Sequence, residues 1–215
     1  MKILIVADHE NNSLWENWSE RWNKKLSDID LVLSAGDLAP AYLEYIASKL
    51  NAPLLYVRGN HDSFYDTMPP KGCMDIDEKT VNVAGLRIAG LGGSMRYREG
   101  SDMYSENEQS NRIQRLKKQL QNNSIRAVIN KEERGSNEGH LDIFLTHAPC
   151  CGYGDLDDLP HKGFACFNTF VEQFKPRFHL YGHVHMDYGD IDRVIMHPSG
   201  TTLINCCGMY MLELR

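Results

Sequence analysis

The stretch PLLYVRGNHD, residues 53–62, runs four apolar side chains, Leu54 to Val57, into Arg58-Gly59 and stops there. Three residues that can bind a metal or move a proton follow at once: Asn60, His61 and Asp62. A short apolar run closed by a turn is the pattern of a strand buried on both faces. Why such a strand should end in that cluster depends on whether other strands end the same way.

They do. KILIVAD (2–8) is a buried strand ending in Asp8-His9-Glu10, and IDLVLSAGD (29–37) ends in Gly36-Asp37. LDIFLTH (141–147) ends in Thr146-His147, and FHLYGH (178–183) runs into Gly182-His183-Val184-His185. Between the first two, Ser13 and Glu16 have the spacing of a capping box opening a helix. Trp15, Trp18, Trp22 and Leu26 recur there at helical intervals, as a core-packing stripe does. PAYLEYIASKL (40–50) is a second helix, with Pro40 in its first turn. This β-α-β-α-β rhythm predicts parallel strands with helices outside them.

Farther on, TVNVAGLRIAGLGG (80–93) reads as two strands about a turn at Gly85. In the polar stretch from about 100 to 140, Ile113, Leu116 and Leu120 form a helical stripe, with Arg112, Arg115, Lys117 and Lys118 as a solvated face. ERGSNEG (133–139) reads as a mobile loop, and FNTFVEQF (167–174) as a helix. DRVIMH (192–197), TTLINCC (201–207) and MYMLELR (209–215) are three closing strands. No composition break divides the chain, so residues 1–215 are expected to form a single domain.

Composition narrows the function. The 215 residues are 42% hydrophobic and 24% charged, ordinary values for a globular protein. A net charge of −6 gives no electrostatic reason to expect general nucleic-acid binding. It leaves a small phosphate ester open as substrate. The opening apolar run is too short for a signal peptide, and no stretch approaches a membrane span. The six cysteines include the pairs Cys150-Cys151 and Cys206-Cys207 but no C-x-x-C motif, so reduced thiols and a cytoplasmic setting are expected.

Ligands in open α/β sheets bind outside the carboxyl ends of strands. One such ending is a weak signal, but five in order point to one site. Carboxylate, amide oxygen and imidazole together suit hard and borderline divalent ions, not a thiolate site. They are too many for one ion and about enough for two, the arrangement used for in-line displacement at phosphorus. A carboxylate such as Asp37 can bridge the pair, and Asn60 supplies an oxygen.

In this order the motifs resemble the signature of the calcineurin-like metallophosphoesterases: D-x-H, GD, GNH(D/E), H and GHxH, spanning residues 8 to 185. The resemblance implies an α/β fold of two packed mixed β-sheets flanked by helices, and two divalent metal ions, whether manganese, iron, zinc or nickel. It implies one metal site of Asp8, Asp37 and His185, and another of Asp37, Asn60, His147 and His183. It further implies hydrolysis of a phosphoric ester by a hydroxide that the two metals activate. His61 would serve as acid or transition-state stabiliser, with Asp62 orienting it.

One slot departs from the pattern: D-x-H is D-H-E here. On an extended backbone Glu10 points the same way as Asp8 and His9 points away. Glu10 is therefore the expected ligand, with two alternatives: a bent loop presenting His9, or a site lacking that ligand. GLGGSMRYREG (90–100) is either a glycine turn or an active-site wall whose Arg96 or Arg98 reaches a phosphate. GYGDLDDLPHKGF (152–164), with Asp155, Asp157, Asp158 and His161, is either a substrate loop or a solvated acidic one. His140, His179 and His197 read as structural, and the cysteine pairs as small hydrophobes. The competing functional reading is a non-catalytic metal-binding scaffold of the same fold, to which Glu10 alone points.

Overall fold

A computed structural model describes residues 1–15, 24, 26–130 and 140–214, with 122–130 described as helical backbone only. Glu16, Trp18, Trp22 and the loop expected over 133–139 lie outside the described residues.

In chain order the strands are β1 (Lys2–Ala7), β2 (Leu31–Ser34), β3 (Leu54–Tyr56), β4 (Met74–Asp75), β5 (Lys79–Val83), β6 (Leu86–Leu91), β7 (Ser94–Met95), β8 (Met103–Tyr104), β9 (Ile143–Thr146), β10 (Phe178–Tyr181), β11 (Val194–Met196), β12 (Thr202–Asn205) and β13 (Gly208–Glu213). The helices are α1 (Pro40–Lys49), α2 (Glu106–Asn130) and α3 (Ala165–Phe174).

One large sheet has the order β13-β1-β2-β3-β4, the second β11-β12-β10-β9-β6-β5, and β7 pairs with β8 in a separate two-stranded sheet. In the first, β1 to β4 run parallel and β13 lies antiparallel on β1, Lys2 opposite Glu213. In the second, β12, β10, β9 and β6 run parallel between antiparallel edges β11 and β5. Both sheets are mixed, as expected.

Side-chain alternation builds the layers. Along β1, Ile3, Ile5 and Ala7 share with Leu33 and Leu55 the face turned to the second sheet, where they meet Ile88, Ile143 and Leu180. Leu4 and Val6, pointing the other way, pack with Tyr42, Leu43 and Ile46 of α1. Across the second sheet, Leu91, Phe144 and Leu203 pack with Ile113, Leu116 and Leu120 of α2 and Phe167 and Phe170 of α3. The result is helix, sheet, sheet, helix. The β5–β6 turn is as read: Ala84 (φ 52°) and Gly85 (φ 77°) give a two-residue turn with both φ positive.

Two local readings change. Asn11, not Ser13, caps the first turn, a 3-10 turn over Asn12–Leu14, and its side chain accepts from the Ser13 amide at 2.9 Å. Arg112 is not solvated: it is buried and forms ion pairs with Asp77 at 2.5 Å and Glu78 at 2.6 Å. Asp77 in turn accepts from the Gly92 amide at 2.6 Å, so this pair ties α2 to the loop after β6. Arg115 pairs with the same Glu78 at 2.7 Å.

His179, on β10, is structural in a definable way. Thr146 donates its hydroxyl to the Ala148 carbonyl at 2.6 Å and so accepts from His179 Nε2 at 2.7 Å. His179 Nδ1 is left to accept from the Cys150 thiol at 3.4 Å. Both nitrogens are satisfied with the ring neutral. Burial, then the charge of His197, holds its pKa down at about 3. As pH falls below about 6.5, the unfolded chain takes up a proton here that the folded chain refuses, so stability present above that value is lost towards pH 3. Urea unfolding between pH 6 and 5 should show wild type losing stability more steeply than His179→Gln, by up to about 1.4 kcal/mol per pH unit. Parallel curves would show that His179 is not held neutral.

Candidate active site

Three strand ends turn sharply at residues with left-handed backbone: Asp8 (φ 62°) after β1, Asp37 (φ 57°) after β2 and His183 (φ 68°) after β10. Non-glycine residues in that region are uncommon, and they concentrate at functional sites that hold them in place. Each turn swings a ligand-type side chain into the space beyond the sheets' carboxyl edge. Close packing of the loops requires glycine: a methyl on Gly59 would sit 2.0 Å from Asp37 Oδ1, and one on Gly182 2.6 Å from Asp8 Oδ2.

Asp37 is the hub. Its Oδ1 accepts from the His61 amide at 2.8 Å, and its Oδ2 lies 3.4 Å from His147 Nε2. Burial pushes this carboxyl up, but the charge and hydrogen bond of His147 outweigh it and hold the pKa at about 2. His147 behaves reciprocally. Burial would lower it, but Asp37, then Asp8, raise it to about 9. Its Nδ1 meets the Ala35 carbonyl at 2.8 Å, so that nitrogen carries the proton. Nε2 is thereby aimed at Asp37 and at Asn60 Oδ1, 3.0 Å away.

His183 is fixed by the same logic. Its Nε2 donates to the Pro160 carbonyl at 2.7 Å, which leaves Nδ1 as the free ligand nitrogen. Burial, then the charge of His147, depresses its pKa to about 3. Ligand atoms of Asp37, His147 and His183 lie within 4.8 Å of one another. Asp8 accepts from the His183 amide at 2.9 Å through Oδ1, while its Oδ2 is buried without a hydrogen-bond partner. Burial is the main reason its pKa rises.

A cavity of about 300 Å³ opens onto these groups. Asp8, Asp37, Asn60, His61, His183 and His185 line it, so six of the expected site residues share one wall. His147 lies behind them, fully buried. Glu10 does not line the cavity. The extended backbone assumed for it does not occur, because Asp8 bends the chain, and His9 is carried to within 4.4 Å of the His185 ring.

Arg96 and Arg98 do not line it either. Arg96 is drawn to Glu108 at 2.9 Å and the Met103 carbonyl at 3.1 Å, and Arg98 lies over the Tyr97 ring. Tyr97, between them, faces the cavity, its hydroxyl 3.5 Å from Asn60 Nδ2. His161, beside His183, and Tyr188, beside His185, complete the lining. Asp158 holds His161 Nδ1 at 2.7 Å, and Tyr188 stacks on His185 at 4.9 Å. Asp155 closes the 152–164 loop by accepting from the Gly152 and Gly163 amides at 2.8 and 3.0 Å. Nothing in the sequence around Tyr188 singled it out.

Asp62 has a different place from the one expected. Its Oδ2 accepts from the Asp37 and Gly59 amides, both at 2.8 Å, and no hydrogen bond joins it to the His61 ring. Burial, then the charge of Asp37, raises its pKa to about 7. It clamps two site loops together. Asp62→Ala leaves two buried amides unpaired and should cost at least about 2 kcal/mol in urea unfolding. An unchanged unfolding midpoint would show that the clamp contributes nothing.

A family model for calcineurin-like phosphoesterases matches residues 1–187. A stretch of 69 residues is 35% identical to a UPF0046 protein of Caenorhabditis elegans, over 31% of this chain and 16% of that protein. Another of 70 residues is 36% identical to human metallophosphoesterase domain-containing protein 1, over 30% of this chain and 19% of that protein. The chain thus aligns with less than a quarter of these curated relatives. Among solved structures, TT1561 of Thermus thermophilus superposes with a TM-score of 0.56 at 15% identity, over 96% of this chain and 89% of that one. Another superposes at 0.61 with 13% identity, over 98% and 94%. At such identities these two speak for the fold. With the family match and the strand-end motifs, the chain belongs to the calcineurin-like phosphoesterases, a family of metal-dependent hydrolases.

Proposed function

We propose that this chain hydrolyses a compact phosphoric ester, a diester or monoester, using divalent metal ions at the strand ends. The carrying observation is a convergence of ligand atoms that only the proton of His147 neutralises: Asp37 Oδ2, Asn60 Oδ1, His147 Nε2 and the free nitrogen of His183. Either a proton or a cation must neutralise such a set, and Asp8 Oδ2, buried and unpaired, adds a second demand close by. The donor types suit borderline and hard ions. Asp37, Asn60, His147 and His183 would hold one ion, with Asp8 and His185 serving a second and Asp37 bridging.

Bound there, such ions supply Lewis acidity to the phosphoryl oxygens and lower the pKa of a water. The rest is the protein's work. His61 lines the open wall, and its amide is tied to Asp37, so the ring is placed next to the ligand cluster. From there it can give a proton to the departing oxygen. Tyr97 steadies the Asn60 amide, and His161 and Tyr188 bound the space a leaving group would occupy. The cavity volume lies at the low end for small-ligand sites, which favours a compact substrate.

The test is turnover of bis-p-nitrophenyl phosphate, and of the monoester, by metal-stripped protein before and after adding manganese. Hydrolysis should require the metal and fall roughly 10²–10⁴-fold in His61→Ala. Absence of turnover with manganese, zinc, iron and nickel alike would replace the hydrolase with a metal-binding scaffold.

A further inference from the structure

The family pattern places a metal-binding histidine two residues after Asp8, where this chain has Glu10. The fold offers a substitute. Asp8 is left-handed and the His9 amide bonds back to the Ala7 carbonyl at 2.6 Å, a tight turn after which the His9 ring lies beside His185. The His9 and His185 rings meet edge to face at 4.4 Å. Beyond His185 the chain turns again, with the Tyr188 amide bonding to the His185 carbonyl at 3.2 Å, and Asp187 sits inside that turn. Ligand atoms of His9, His185 and Asp187 lie within 4.8 Å of one another.

Glu10 goes elsewhere. Like His9 and Asp187 it is exposed and outside the cavity lining, but its carboxylate is not among the ligand atoms gathered at His185, and its charge acts on the Tyr42 hydroxyl, to which the Asn11 amide donates at 3.0 Å.

We infer that His9 and Asp187 join His185 as ligands of the second, outer metal ion that Asp8 and Asp37 also serve, with Glu10 taking no part. This rests on the metal-dependent reading above and supplies the ligands it lacks. His185 alone of the three belongs to the family's motif. The consequence is chemical. His9 offers a neutral imidazole at the place where Glu10 would have offered a carboxylate. A pair of imidazoles suits iron(II), cobalt(II) or zinc better than magnesium or calcium. Tyr188, stacked parallel to His185, restricts rotation of that ring and keeps it facing the pair.

The experiment counts metal and needs no substrate. Metal-stripped full-length protein is loaded with cobalt(II), gel-filtered and assayed for cobalt per chain by mass spectrometry, with the visible cobalt spectrum recorded and circular dichroism as the folding control. Wild type should bind two equivalents. His9→Gln and Asp187→Asn should each bind one, with loss of one component of the spectrum. Glu10→Gln should still bind two, and His147→Gln should lose the other equivalent. Loss of one equivalent in Glu10→Gln, with two retained in Asp187→Asn, would overturn the assignment while leaving the hydrolase reading intact. Wild type that binds no cobalt, and no zinc or manganese either, would overturn both.

Discussion

The buried Asp37 carboxylate is the constraint around which the molecule is arranged. A negative group taken out of water must be paired, hydrogen-bonded or bound to a cation. Asp37 accepts a hydrogen bond from the His61 amide and faces the one nitrogen of His147 that the Ala35 carbonyl leaves free. Its own amide is gripped by Asp62, and Gly59 must lack a side chain for the carboxylate to fit. Chain segments far apart in sequence are therefore committed by one charge, and the opposed shifts of Asp37 to about 2 and His147 to about 9 express that mutual dependence.

The two-sheet sandwich makes this arrangement possible. Parallel strands β1, β2 and β3 deliver Asp8, Asp37 and Asn60 at one edge, while parallel β9 and β10 deliver His147 and His183 from the other sheet. The edges close over a shared apolar interior, which keeps the ligand groups dry on their inner side. Left-handed residues at three of these ends cost backbone energy, which the surrounding packing sustains and which aims the side chains. The outer wall is assembled from loops: Tyr97 meets the Asn60 amide, and His161 is held by Asp158 beside the loop that Asp155 clamps. Chemistry sits on the rigid side and the leaving-group space on the variable one, the usual division between scaffold and binding loops.

Much of this is legible in the chain itself. Continuous apolar runs, the turn at Gly85 and the stripe of Ile113, Leu116 and Leu120 are local signals, and each element forms where they indicate. The cavity also gathers most of the residues picked out at the strand ends. Where expectation and structure part, a distant partner is the reason. Arg96 is drawn off by Glu108, Arg112 is buried by Asp77 and Glu78, and Asp62 is taken up by two backbone amides. The expectation for Glu10 rests on an extended backbone, and a single left-handed residue, Asp8, breaks that extension.

The sequence by itself determined where the longer buried strands lie, in what order they carry their polar ends, and which donor types meet there. Periodicity and turn chemistry act over a few residues and need no partner to be read. Only the tertiary structure decided that β13 crosses to pair with β1, that Tyr97 rather than its arginine neighbours faces the cavity, and that His9 approaches His185 and Asp187. Those outcomes turn on which of several competing hydrogen-bond and ion-pair partners lies within reach, and reach is a property of the assembled sheets.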